Sequence, residues 1–294
     1  MTYLQALENA TRQLGPGSGE EARLEAEALL WHVLGLSRAQ LYCRWNSGLT
    51  SDQIAAFNGL VQRRLNREPV AYIRGFKEFY GLEFYVDRRV LIPRPETELL
   101  VEKAIQWIEG KGKRTRGEDT GAKVTVADVG TGSGCIAVSL AVNLPEIQVY
   151  ATDPSPQALE VASINCHRHG VEGRVRLLEG AILVPLPEQA DVITANLPYV
   201  RTRDLAVLPR DIRDYEPLFA LDGGEEGLDA IWLLLRQAPS HLRPGGAIFL
   251  EIGCQQGGPV KEIALRHFPS ARVRVFKDYA GVERVVAIET GVYS

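Results

Sequence analysis

Long apolar runs are what this chain of 294 residues most plainly lacks. Nothing approaches the roughly 18 consecutive apolar residues of a membrane span. The start, MTYLQALENATRQLG, carries Glu8 and has no apolar core of signal-peptide type. Cysteine is sparse: Cys43, Cys135, Cys166 and Cys254 include no C-x-x-C pair, and no histidines cluster at ligand spacing. Neither a metal site nor a disulfide frame is therefore expected, and reduced thiols suit a cytoplasmic protein. An excess of basic charge is missing as well. Lys and Arg number 33 against 37 Asp and Glu, a formal charge of −4, which argues against a protein that coats nucleic acid. No internal repeat is present.

What is there is ordinary globular composition, 45% hydrophobic and 24% charged. The length suits one or two domains with a sizeable core. Residues 1–69 are expected to be a helical bundle. EEARLEAEALLWHVLG puts Leu24, Ala28, Trp31 and Leu34 on one face, with Gly35 as its stop. SDQIAAFNGLVQRRLN has Thr50 or Ser51 as cap and an apolar stripe of Ile54, Phe57, Leu60, Val61 and Leu65. Trp31 and Trp45 are the expected core anchors. Residues 70–93 are rich in β-branched and aromatic residues, with breaks at Gly75 and Gly81, and predict a β-hairpin linker. Between Arg63 and Arg94 lie eight basic and four acidic residues. Singly these read as solvated charges; as a set they could face an anionic partner.

Residues 94–294 open with a helix that has Pro95 near its first turn. The polar, Gly-rich KGKRTRGEDTGAK then predicts a mobile loop. After it, strands at 124–129, 147–152, 174–178, 190–195 and 246–252 alternate with helices at 133–143, 155–168, 227–238 and 257–267. That order predicts an α/β fold, a doubly wound, mostly parallel sheet of seven strands. The last two strands, 271–276 and 283–289, have no helix between them and are expected to pair antiparallel near one edge.

VADVGTGSGCIAVSLA places Asp128 at a strand end, followed by Gly130, Thr131, Gly132, Ser133 and Gly134 and then a helix. Glycines in a strand-to-helix turn let a ligand approach backbone. A dinucleotide loop wants its third glycine at 135, where Cys135 stands, and no P-loop Lys-Ser/Thr pair follows. Asp153 ends the next strand, 19 residues after Gly134, where an acid can hold both hydroxyls of a ribose or cap the following helix. A nucleoside ligand without a pyrophosphate fits best. S-adenosylmethionine is such a ligand, and from residue 124 the chain resembles a class I methyltransferase.

The strand DVITA then stops at Asn196-Leu197-Pro198-Tyr199, on the same sheet edge. An amide or aryl –NH2 is a poor nucleophile because its lone pair is delocalised. Two acceptors aimed at its N–H bonds can hold it and turn that lone pair toward a methyl donor. The Asn196 side-chain oxygen and the Leu197 carbonyl are the expected acceptors. Pro198 stiffens the loop, and Tyr199 offers a flat face.

The whole chain resembles the PrmC/HemK family of release-factor glutamine N5-methyltransferases. The resemblance is carried by REPVAYIRGFKEFYGLEFYVDRRVLIPRPETELLVE, DVGTGSGCIAVSLA, ANLPYV, YEPLFALDGGEEGLDAI, LRPGGAIFLEIGCQQG and KDYAGVERVV in family order. It implies an enzyme using S-adenosylmethionine to methylate the glutamine of the GGQ loop in release factors, with an N-terminal domain that recognises the substrate. By position, it implies that Asp128, Gly130 to Gly134, Asp153, Ile182 and Asn196 bind the cofactor and that Asn196 to Tyr199 hold the glutamine. Leu197 replaces the family's second proline, and Ala181 replaces an acidic residue beside the adenine. Two other readings stand beside this one: an adenine N6-methyltransferase on RNA or DNA, and a nucleoside-binding scaffold without catalysis. His167, His169, His241 and His267 read as surface residues, Cys135 as a packed core residue, and Asp278, Gly281 and Arg284 as shapers of the last hairpin. Glu251 ends a strand near the crevice, and a monomer is the default assembly.

Overall fold

The computed structural model describes residues 1–15, 19–111 and 123–291. The polar stretch expected as a mobile loop falls largely at 112–122, outside the described residues. The chain divides into two compact units. One comprises Met1–Phe76 with Pro209–Tyr215, the other Lys77–Leu208 with Glu216–Ser294.

The first unit is helical: α1 (Tyr3–Leu14), α2 (Gly19–Leu34), α3 (Arg38–Tyr42), α4 (Ser51–Leu65) and α5 (Val70–Arg74). Thr50 is the cap of α4. Its hydroxyl accepts from Gln53 N and the Gln53 side chain accepts from Thr50 N, a reciprocal capping box. On α4, Phe57 and Val61 are buried, but Leu65 is exposed. The face expected of α2 is wrong. Leu24 is 47% exposed, and the buried positions are Ala22, Ala26, Glu27, Leu29 and Leu30. The expected stripe was the wrong one; Ala26, Leu29 and Leu30 join Ala6 and Ala10 of α1 in the core, where alanine lets helices approach closely. Trp31 and Trp45 sit at the core's margin. The Arg74 guanidinium lies 3.9 Å from the Trp31 ring centroid, and Trp45 meets Tyr42 edge-on at 4.9 Å.

The expected linker begins with α5, which Gly75 ends. Strands β1 (Phe76–Phe79) and β2 (Leu82–Tyr85) then form the hairpin. Its turn has positive φ at both Tyr80 and Gly81, as a tight two-residue turn requires.

In the second unit a 3₁₀ turn, Pro95–Thr97, leads into α6 (Glu98–Lys111). There follow β3 (Val124–Val129), α7 (Cys135–Asn143), β4 (Ile147–Asp153), α8 (Pro156–Arg168), β5 (Val175–Glu179) and β6 (Ala190–Ala195). After α9 (Arg210–Arg213), which clusters with the first unit, come α10 (Asp229–His241), β7 (Leu242–Glu251), α11 (Gly257–His267), β8 (Arg272–Lys277) and β9 (Glu283–Glu289). The seven strands run β5-β4-β3-β6-β7-β9-β8. β3 pairs parallel with β4 and β6, while β9 is antiparallel to both β7 and β8, so β8 is the edge. Neighbouring residues serve opposite faces. Val126, Val192, Phe249 and Val285 join one core; Ala127, Ile193, Ile248 and Val286 join the other. A two-residue period sorts these apolar strands between two helical layers. The register sets Val129 beside both Thr152 and Ala195, which brings the ends of β3, β4 and β6 together at one edge.

Candidate active site

That shared edge carries a cavity of about 270 Å³. Gly130, Thr131, Gly132 and Ser133 form one wall; Asn196, Leu197 and Pro198 form another. Asp153, Ala181 and Ile182 complete the part foreseen from sequence. Gly134, Asp128 and Tyr199, also expected at the site, are not on its wall.

The glycine loop is built around Asp128. This carboxylate is fully buried and accepts from the hydroxyls of Thr131 at 2.6 Å and Thr194 at 3.0 Å. Burial pushes its pKa up to about 6, with the two hydroxyl bonds opposing. Asp128 thus shapes the loop from beneath. Gly130 has φ 69°, and a Cβ there would lie 3.0 Å from Leu197 Cδ2, so the loop and the Leu197 side chain touch directly. Asn165, in the last turn of α8, donates to Ser133 O at 2.8 Å and Tyr85 O at 3.0 Å, and accepts from Tyr85 N at 2.7 Å. One buried amide therefore ties the loop to the hairpin.

Asp153 accepts from Gly132 N and Ser155 N, each at 2.9 Å. Burial raises its pKa, and those two backbone donors oppose the rise. The cap of α8 is Ser155, whose hydroxyl accepts from Ala158 N at 3.2 Å. Asp153 is thus spared from capping, and each oxygen keeps a lone pair for a ligand. Ile182 holds φ 55°, rare for a β-branched residue, and its carbonyl accepts from Thr152 Oγ1 at 2.8 Å.

Asn196 follows the last residue of β6. Its Nδ2 donates to Thr97 Oγ1 at 3.1 Å, and among the described residues its Oδ1 has no partner. Leu197 is buried in the core, 4% exposed. The Tyr199 hydroxyl donates to Glu251 Oε1 at 3.3 Å, and Thr97 donates to Glu251 Oε2 at 2.5 Å. Burial pushes the Glu251 pKa up to about 7, and raises the Tyr199 phenol as well.

The backing of this loop was not foreseen from sequence. Gln256 Nε2 donates to the carbonyls of Tyr199 at 3.1 Å and Gly227 at 3.0 Å, while its Oε1 accepts from Gly253 N at 2.8 Å. Gly227 has φ 74°, and a Cβ there would collide with the Tyr199 carbonyl. Glu216 accepts from Ile92 N at 3.2 Å and from the Arg94 guanidinium. The glycines of LDGGEEGLD were a legible signal of close approach; the partners of Thr97, Glu216 and Gln256 were not, because 154 residues separate Thr97 from Glu251.

Other expectations can be placed too. Much of the basic set is engaged: Arg63 with Glu68, Arg64 with Glu25, and Arg89 with Asp87 and Glu160. Cys135, expected as a packed core residue, is half-buried against the core and also lines the cavity, and burial raises its thiol to about 12. Asp278 accepts from Ala280 N and Val282 N at 2.9 Å and from Arg284 at 3.0 Å, shaping the β8–β9 turn. Among the described residues no cluster of metal-ligating side chains exists, and no helix is long and apolar enough to cross a membrane.

The chain's relatives agree with this architecture. Residues 5–75 match the family model of the PrmC N-terminal domain, and residues 117–210 that of the methyltransferase small domain. The "Release factor glutamine methyltransferase" of Moorella thermoacetica is 44% identical over 285 residues, 97% of each chain. The protein-(glutamine-N5) methyltransferase (release factor-specific) of Alicyclobacillus acidocaldarius is 31% identical, covering 71% of this chain and 99% of that one, at a TM-score of 0.41. A methyltransferase from Pyrococcus furiosus shares the fold at 22% identity and a TM-score of 0.50, over 79% of this chain and 98% of that one. With its glycine loop, Asp153 and Asn196 to Pro198 lining one cavity, the chain belongs to the PrmC family of release factor glutamine methyltransferases.

Proposed function

We propose that this enzyme transfers the methyl group of S-adenosylmethionine to the side-chain amide nitrogen, N5, of the glutamine in the GGQ loop of peptide-chain release factors. The observation that carries the reading is the Asn196 side chain. Its nitrogen is committed to Thr97 at 3.1 Å, which leaves its oxygen as an acceptor at the cavity.

The cavity suits the cofactor. Gly130 and Gly132 expose backbone on its wall, Asp153 offers carboxylate oxygens to a ribose, and Ile182 offers an apolar face to a base. Ala181 supplies no carboxylate beside that base, so adenine recognition rests on shape and backbone. When bound, S-adenosylmethionine supplies an electrophilic methyl carbon on a sulfonium.

The chain's own task is to present the nucleophile. Asn196 Oδ1 and the Leu197 carbonyl take the two N–H bonds of the glutamine amide. Among the described residues neither oxygen has another donor. Holding both bonds turns the nitrogen lone pair out of conjugation and toward the methyl carbon. Methyl transfer from the sulfonium would place growing positive charge on that nitrogen, and the two acceptors would stabilise it. One N–H proton then leaves to solvent. Pro198 holds the carbonyl's aim, and the Gln256 and Gly227 backing fixes the loop from behind.

The N-terminal helical unit serves release-factor recognition, supported by its own core and its own family model. The enzyme acts in the cytoplasm, where its substrate is made. The test is incubation with purified release factor and labelled methyl donor, followed by mass spectrometry of the GGQ peptide. A methyl group on that glutamine is expected; label in nucleic acid and none in protein would instead establish an adenine methyltransferase.

A further inference from the structure

Thr97 closes the turn before α6 and is almost wholly buried. It stands 99 residues from Asn196 and 154 from Glu251, yet touches both. Its oxygen accepts from Asn196 Nδ2 at 3.1 Å, and its proton goes to Glu251 Oε2 at 2.5 Å. The other Glu251 oxygen accepts from the Tyr199 hydroxyl at 3.3 Å.

These three bonds have a direction. A hydroxyl has one proton, and Thr97 commits it to Glu251 Oε2, while Tyr199 donates to Glu251 Oε1. The lone pairs of Thr97 are then left to Asn196. Only the –NH2 end of an amide can meet lone pairs; the C=O end would set acceptor against acceptor. We propose that Thr97, backed by Glu251, is a positioning residue for methyl transfer: it fixes which end of the Asn196 amide faces the substrate, so that Oδ1 and not Nδ2 meets the glutamine –NH2. The proposal rests on the reading of Asn196–Tyr199 as an amide clamp. Without Thr97, Asn196 can turn and present a donor to a donor, and its side chain is no longer held in the geometry that transfer needs.

The test uses the full chain with Thr97→Val, which keeps the shape and removes the hydroxyl, and Thr97→Ser, which keeps the hydroxyl. Turnover, KM for release factor, calorimetric affinity for S-adenosylmethionine and melting temperature are measured, in the wild-type and Asn196→Ala backgrounds. Thr97→Val should lower kcat by about tenfold or more while cofactor affinity stays within about twofold, because only the substrate's nitrogen has lost its guide. Thr97→Ser should restore kcat to within about threefold of wild type. In the Asn196→Ala background Thr97→Val should add less than about twofold, since the group it positions is gone. Wild-type kcat in Thr97→Val, equal losses in the Ser and Val variants, or an undiminished loss in the Asn196→Ala background would each overturn the positioning role and leave the clamp standing. Full turnover in Asn196→Ala alone would overturn the clamp and the positioning role with it. Should Thr97→Val fail to fold, Thr97→Ala makes the same comparison.

Discussion

Leu197 has two jobs that belong to different parts of one residue. Its carbonyl is the proposed second acceptor, and its side chain is core, packed over Gly130. Sequence reasoning assigned the first and overlooked the second. Leu197→Pro, which restores the family's usual residue, is expected to keep turnover to within about threefold, because the carbonyl remains. It should also lower stability by about 1–2 kcal/mol, because a buried leucine loses methyl groups. Turnover assays beside a thermal melt check both halves, and lost turnover in a well-folded variant would contradict the carbonyl's role. Asn196→Ala is expected to cost about a hundredfold in kcat, the scale of removing one group that stabilises developing charge. Steady-state kinetics on release factor measures it.

At the scale of elements, the strands and the helices of the sheet were legible in order and to within about four residues, the largest difference being β7, which begins at Leu242 where 246 was expected. Apolar runs bounded by glycine, proline and asparagine leave little choice where the central strands are covered on both faces. The helical bundle was less legible, as α2 shows: Leu24 is exposed while Ala22 and Ala26 are buried. Periodicity gives a stripe, but which stripe faces inward depends on what the neighbouring helix brings. The glycines of the segment from Leu221 to Asp229 signal a close approach, but what it supports was not legible. It backs the Asn-Leu-Pro-Tyr loop through Val200 N to Leu221 O at 3.0 Å and Gly223 N to Val200 O at 2.8 Å. Gly227→Ala therefore meets both a left-handed φ of 74° and the Tyr199 carbonyl. It is expected to cost about 2–3 kcal/mol of stability and to lower kcat along with it. Denaturant midpoints and turnover measured on the same preparation check this; a wild-type midpoint would show that the loop relaxes freely.

At the scale of the whole molecule, two buried carboxylates bear on stability. Burial raises Glu251 to about 7 and Asp128 to about 6, so folding favours their protonated forms. Such groups contribute stability that is full below the ordinary carboxylate range and is lost as pH rises through the folded pKa. The groups acting on Glu251 are Thr97, Tyr199 and Arg284, which favour its charge, and Glu96, which opposes it. Glu251→Gln removes its titration. The melting temperature of that variant, relative to wild type, should therefore climb between about pH 5 and about pH 8. A constant difference across that range would show that Glu251 does not titrate there.

The sequence by itself determined the sheet, the order of its elements and the two loops that meet at its edge. These follow from local chemistry: apolar runs, glycines that admit a ligand, and an amide followed by proline. Only the tertiary structure decided what the loop's side chains do. Asp128 turns inward to two hydroxyls, Ser155 relieves Asp153 of capping, and Thr97 and Glu251 orient Asn196. The reason is that a hydrogen bond depends on distance and direction in space. Residues 154 positions apart along the chain come within 2.5 Å only after the sheet has closed around them.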